Sequence, residues 1–78
     1  MSQAAGSNAE KIKMRKAMQA ALQSAITNGV FGTRAKLTAH LKTRDLKFVR
    51  EAEGKMEVES AKYGAFEVDV PEGLRKGG

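Results

Sequence analysis

The sequence has no cysteine and no tryptophan, and a single proline and a single histidine among its 78 residues. Without cysteine there can be no disulfide staple, thiolate zinc site, iron–sulfur cluster or cysteine nucleophile. Small secreted domains usually depend on such staples, so the expected setting is reducing and cytoplasmic. No apolar run approaches the roughly 20 residues of a membrane span. The opening Met-Ser-Gln-Ala-Ala-Gly lacks the apolar core of a signal peptide, and no membrane contact is expected. Aromatic residues make up only 5%: Phe31, Phe48, Tyr63 and Phe66, three of them on core-facing positions. Single-strand binders interleave aromatics with cations to stack bases, and RNA-recognition sheets carry aromatic strands. Neither pattern occurs, which leaves backbone-directed duplex binding as the natural nucleic-acid mode. The length excludes a two-domain enzyme with a deep cofactor cleft.

What the chain does have is a basic balance and enough apolar material for one small core. Lys and Arg number 14 against 9 Asp and Glu, a net charge of +5, with a pI near 9.8. Hydrophobic residues reach 41%, too many for a wholly disordered chain.

Residues 1–7 are small and polar and read as a disordered leader. Ser7 and Glu10 have the spacing of a capping box, which predicts a helix from near Asn8. Ala9 to Asn28 is rich in good helix formers. Met14, Met18, Ala21, Leu22 and Ala25 recur at helical spacing, and Ile26 extends their stripe. Asn28-Gly29 then supplies a helix C-terminus. Val30 and Phe31 should both drop into the core. Thr33 is an N-cap for a second helix from Arg34 to about Thr43, with Leu37 and Leu41 facing inward.

After Asp45 the period changes to two. Leu46 and Phe48 open a strand, and Glu53-Gly54 is a turn. Met56 and Val58 then alternate with Glu57 and Glu59. Tyr63-Gly64 is a second turn, followed by Phe66, Val68 and Val70 alternating with Glu67 and Asp69. Pro71 ends the last strand. The expected fold is α+β: two helices packed on one face of a three-stranded antiparallel meander, in the order α-α-β-β-β. The expected domain spans residues 8–71, with 72–78 a flexible tail.

Charge divides along the chain. Residues 1–44 hold Lys11, Lys13, Arg15, Lys16, Arg34, Lys36, Lys42 and Arg44 against Glu10 alone, a net of +7. Residues 45–78 hold eight anions against six cations, a net of −2. Helix dipoles disfavour cations at N-termini, so the clusters Lys11–Lys16 and Arg34–Lys36 are not placed for stability. An anionic partner would explain them, and phosphate backbones are the commonest. Glu57, Glu59, Glu67 and Asp69 should share the exposed sheet face, which would repel DNA.

No catalytic constellation is present. His40 is alone and is expected at a boundary; metal sites and triads need several such groups. Tyr63 flanks a turn. Ser7, Ser24 and Ser60 lack a nucleophile-elbow context. Gly29 and Gly32 lack the spacing and the preceding strand of a dinucleotide site. The chain is therefore expected to be non-enzymatic, with no metal and no cofactor.

The stretch from Ile26 to Arg50 runs from a Gly turn (Asn28-Gly-Val-Phe-Gly32) through a short helix with Leu37 and Leu41 to a strand ending in Val49-Arg50. Gly54-Lys-x-Glu-Val58 follows. This resembles the small helix-then-hairpin module found after the nuclease domain of plasmid mobilisation relaxases, over residues 26–60. Where the module ends in Arg-Leu-Lys-Gly, this chain has Ala65-Phe66-Glu67-Val68. The tyrosine nucleophile and histidine metal cluster of that family are absent. The resemblance implies an accessory DNA-binding or docking module of a mobile element, not nicking activity.

Two functions follow as expectations. One is a DNA-binding accessory protein of a mobile element, phage or plasmid, clamping phosphates through the eight cations of its helical half. The other is a protein–protein interaction module that inhibits or adapts a larger nucleic-acid machine, such as a host defence complex, through the acidic sheet face or a Met-rich helix face. A homodimer through Met14, Met18 and Leu22 would double the basic patch and is compatible with the first.

Overall fold

A computed structural model describes the backbone of residues 2–75 and the side chains of residues 9–75. The elements are α1 (Ser2–Thr27), α2 (Arg34–Thr43), β1 (Leu46–Ala52), β2 (Lys55–Ser60) and β3 (Gly64–Asp69), closed by a 3₁₀ turn at Glu72–Leu74. The three strands form one antiparallel sheet in the order β1-β2-β3. The architecture is α+β, two helices followed by a meander, as the periodicities predict.

α1 starts at Ser2, so Ser7 and Glu10 lie inside it rather than at its cap. Between Ser2 and Ala9 the weak helix formers are Ser2, Gly6, Ser7 and Asn8, and no proline there forces a stop. The helix ends in a Schellman motif. Gly29 N–H donates to Ile26 O at 3.1 Å and Val30 N–H to Ala25 O at 3.0 Å, with Gly29 at φ +75°. Val30 therefore serves through its backbone, and its side chain is 63% exposed instead of entering the core. Phe31 alone makes that step. Thr33 caps α2, its Oγ1 accepting from Lys36 N–H at 3.2 Å.

The core gathers Leu22 and Ile26 of α1, Phe31, Leu37 and Leu41 of α2, Leu46 of β1, Met56 and Val58 of β2, and Phe66, Val68 and Val70. Leu74 joins them, 6% exposed. The segment expected as a loose tail is thus docked through residue 75, and residues 76–78 lie outside the described residues. Apolar burial of this kind contributes about 25 cal/mol per Å² and supplies most of the stabilisation.

The β1–β2 pairing slips between Phe48 and Arg50, leaving Val49 as a bulge. The extra residue shifts the parity of β1. Phe48 opposes Val58 and Glu51 opposes Met56, so both stand on the inner face, while Arg50 faces outward opposite Glu57. Phe48 sits at the margin and is 37% exposed, less deep than a core position.

α1 runs beside β3 and seals its outer edge. Gln19 Nε2 donates to Glu67 O at 2.6 Å and Gln23 Nε2 to Asp69 O at 3.0 Å. Gln23 Oε1 accepts from Asp69 N–H at 2.6 Å. Arg15, one turn earlier, donates to Tyr63 O at 3.5 Å. The spacing of four residues puts Arg15, Gln19 and Gln23 on one line, so a polar stripe on the helix supplies partners that a fourth strand would otherwise provide.

Candidate nucleic-acid interface

The eight cations of the helical half do not converge. Arg34 is spent inside the fold. Its Nη1 lies 2.6 Å from Glu51 Oε1, with side-chain exposures of 21% and 9%, and donates to Leu74 O at 3.1 Å. Its guanidinium also stacks over Phe48, 5.6 Å from the ring centroid. The cation that opens α2 thus ties that helix to β1 and to the last turn, and no phosphate is needed to explain it. Lys36 is exposed near the same end, while Lys42 and Arg44 lie at the other, about 9–12 Å further along the helix. Lys13 and Lys16 are exposed on α1. Because α1 begins at Ser2, the Lys11–Lys16 cluster lies beyond the first turn, where the dipole acts most strongly, and the dipole objection to it lapses.

A different basic surface forms where α2 ends, β1 begins and β2 turns into β3. The register pairs Leu46 with Ser60 and Ser60 with Gly64, which brings these segments to one end of the molecule. A shallow depression there is lined by Glu10, Lys11, Met14, Lys62 and Tyr63. A neighbouring depression is bordered by Met18, Arg44, Asp45, Lys47, Lys62 and Tyr63. The two share Lys62 and Tyr63, so Lys11, Arg44, Lys47 and Lys62 surround one continuous surface. Lys62 Nζ lies 5.5 Å above the Tyr63 ring. Arg15 is half-buried beneath, holding the turn through Tyr63 O.

The turn is built to be rigid. The buried Ser60 hydroxyl accepts from Lys62 N–H at 3.2 Å and from Tyr63 N–H at 3.1 Å. Gly64 follows at φ +99°, with Arg15 Nη1 at 3.1 Å from the point a Cβ would occupy. Lys62 is therefore carried on a turn whose Lys62 and Tyr63 N–H groups are both held by Ser60.

Lys47 and Lys62 are the members of this basic surface that charge-counting along the helices misses. Their signal is topological: in an antiparallel meander, the start of β1 and the β2–β3 turn must share an end. The sheet's outer face is also less acidic than Glu57, Glu59, Glu67 and Asp69 alone suggest. Arg50 pairs with Glu57 at 3.0 Å and Lys55 with Asp69 at 3.2 Å, and Lys47 stands opposite Glu59. The bulge at Val49 is what turns Arg50 onto this face.

His40 is half-buried, its ring 4.9 Å from that of Phe31. Among the described residues no group of three or more His, Asp or Glu side chains could hold a metal ion. Nor is any helix there long and apolar enough to cross a membrane. Comparison with protein-family models, curated proteins and solved structures finds no match to this chain.

Proposed function

We propose that this protein is a non-enzymatic accessory protein that binds the phosphate backbone of duplex DNA through its basic end. The observation that carries this reading is the convergence of Lys11, Arg44, Lys47 and Lys62 from separate parts of the chain around Tyr63. Against Lys11, Arg44, Lys47 and Lys62 stand Glu10 and Asp45 in its lining and Glu59 opposite Lys47, so cations prevail by one. The surface is shallow and holds no cleft for a base, which suits backbone contact with little sequence readout. Such binding gains chiefly from counterion release. A place on a mobile element rests on the resemblance of residues 26–60 alone.

The acidic-face alternative is weaker than the sequence suggests, because Arg50 and Lys55 already engage Glu57 and Asp69. The discriminating experiment compares two charge reversals in duplex binding at low salt. Arg44→Glu/Lys62→Glu should lower affinity by about 100-fold, at roughly one decade per lost phosphate contact. Lys36→Glu, at the far end of α2, should change it by less than about threefold. A loss per reversed charge as large at Lys36 as at Arg44 and Lys62 would mean that only net charge matters and would sink the proposed interface.

A further inference from the structure

α1 carries two stripes, and the core uses only one. Leu22 and Ile26 face inward with the polar line Arg15, Gln19 and Gln23 at the edge of β3. The second stripe is Lys11, Met14, Met18, Ala21, Ala25 and Asn28, alternating by three and four residues as in a heptad seam. Met18 and Ala25 reach the core from its margin, but Met14 is 39% exposed and Ala21 is exposed. Among the described residues no Cα of α1 comes within 8 Å of one in α2. The gap between the helices is an apolar groove of about 200 Å³, lined by Met18, Ala21, Leu22, Ala25, His40 and Arg44 over Leu46.

We infer that this groove is filled by α1 of a second copy, giving a symmetric dimer with the two α1 helices antiparallel. The stripe's own alternation of Met and Ala points to a second copy, and charge chooses its direction. Residues 11–16 hold four cations, whereas Ala17 to Thr27 hold no charged residue. A parallel pair would set cations against cations. The antiparallel pair sets each Lys11 beside the last turn of its partner, where the helix dipole is negative and α1 has no basic residue of its own. In this register Met14 meets Ala25 and Met18 meets Ala21, a large residue against a small one at each level. The alanines let the backbones approach closely, and the flexible methionines fill what remains. Leu22, expected as a dimer contact, is only 4% exposed and forms the groove floor rather than the seam. The seam takes Lys11, Met14 and Met18 from the margin of the basic end and the groove is bordered by Arg44, so the dimer forms without nucleic acid and competes with duplex binding there.

Sedimentation equilibrium of the whole chain tests this, from about 1 µM to about 300 µM, a range spanning weak to moderate affinities. The expected result is a reversible rise from the 8.4 kDa monomer to twice that mass. Ala21→Arg places a charge in the seam without touching the core and should weaken association by about 100-fold or more. Ala39→Arg, on the exposed face of α2, should leave it unchanged. Because the chain has no cysteine, Met14→Cys/Ala25→Cys reports direction. These positions lie about 16 Å apart on one helix and cannot bridge within it. Oxidation should give dimers with residue 14 linked to residue 25 of the other copy. A monomer throughout the concentration range, or links only between like positions, overturns the inference. Circular dichroism of each variant establishes that helix content is kept.

Discussion

Arg34 stands at the first position of α2, where a helix dipole disfavours a cation, and the fold resolves this by giving it Glu51 and Leu74 O. Glu51 is the more costly partner to abandon, since its carboxylate would remain nearly buried. Arg34→Met should destabilise the protein by about 3 kcal/mol, while Arg34→Met/Glu51→Met should recover most of that. Urea denaturation of both variants checks the pair, and duplex affinity should not follow the stability loss. At the Glu53-Gly54 turn both residues have positive φ, +54° and +78°, the type I′ geometry. Gly54→Ala should cost about 1–2 kcal/mol, because a Cβ would also meet Arg75 Nη2 at 2.8 Å. Glu53→Asn should stabilise by about 0.5 kcal/mol, since Asn tolerates the left-handed region; thermal denaturation reads both. The turn itself was legible from Glu53-Gly54. The Arg34–Glu51 pair was not, because alternation counted from Leu46 loses its parity at the Val49 bulge.

At the scale of elements, two helices and three strands follow from periodicity with their turns at Asn28-Gly29, Glu53-Gly54 and Tyr63-Gly64. Periodicity assigns faces, however, and says nothing of edges. Gln19 and Gln23 look like surface residues of α1 until the helix is laid beside β3. Gln23→Ala removes both bonds to Asp69 and should cost about 2 kcal/mol. Hydrogen exchange of the Asp69 amide should accelerate well beyond that of Val58 in the central strand. Unchanged protection at Asp69 would show that another partner seals that edge. The 3₁₀ turn escaped the sequence for a similar reason: Leu74 is a lone apolar residue among Gly, Glu and Lys, and only the cradle formed with Arg34 makes it part of the core.

Over the whole molecule, a net charge of +5 was evident from composition, but its distribution was not. The basic helical half splits between α1, the Arg34 pair and the two ends of α2, while β1 and the β2–β3 turn contribute Lys47 and Lys62 to one end. Composition could name the cations, and only the meander's return path could group them. The most direct test of duplex binding by that end is the salt dependence of affinity. If Lys11, Arg44, Lys47 and Lys62 each neutralise a phosphate, log K should fall with log salt at a slope of about −3.6. For Lys47→Gln/Lys62→Gln the slope should drop to about −1.8, with Lys36→Gln matching the parent protein. A slope near zero, or one that the Lys47→Gln/Lys62→Gln variant leaves intact, would contradict it.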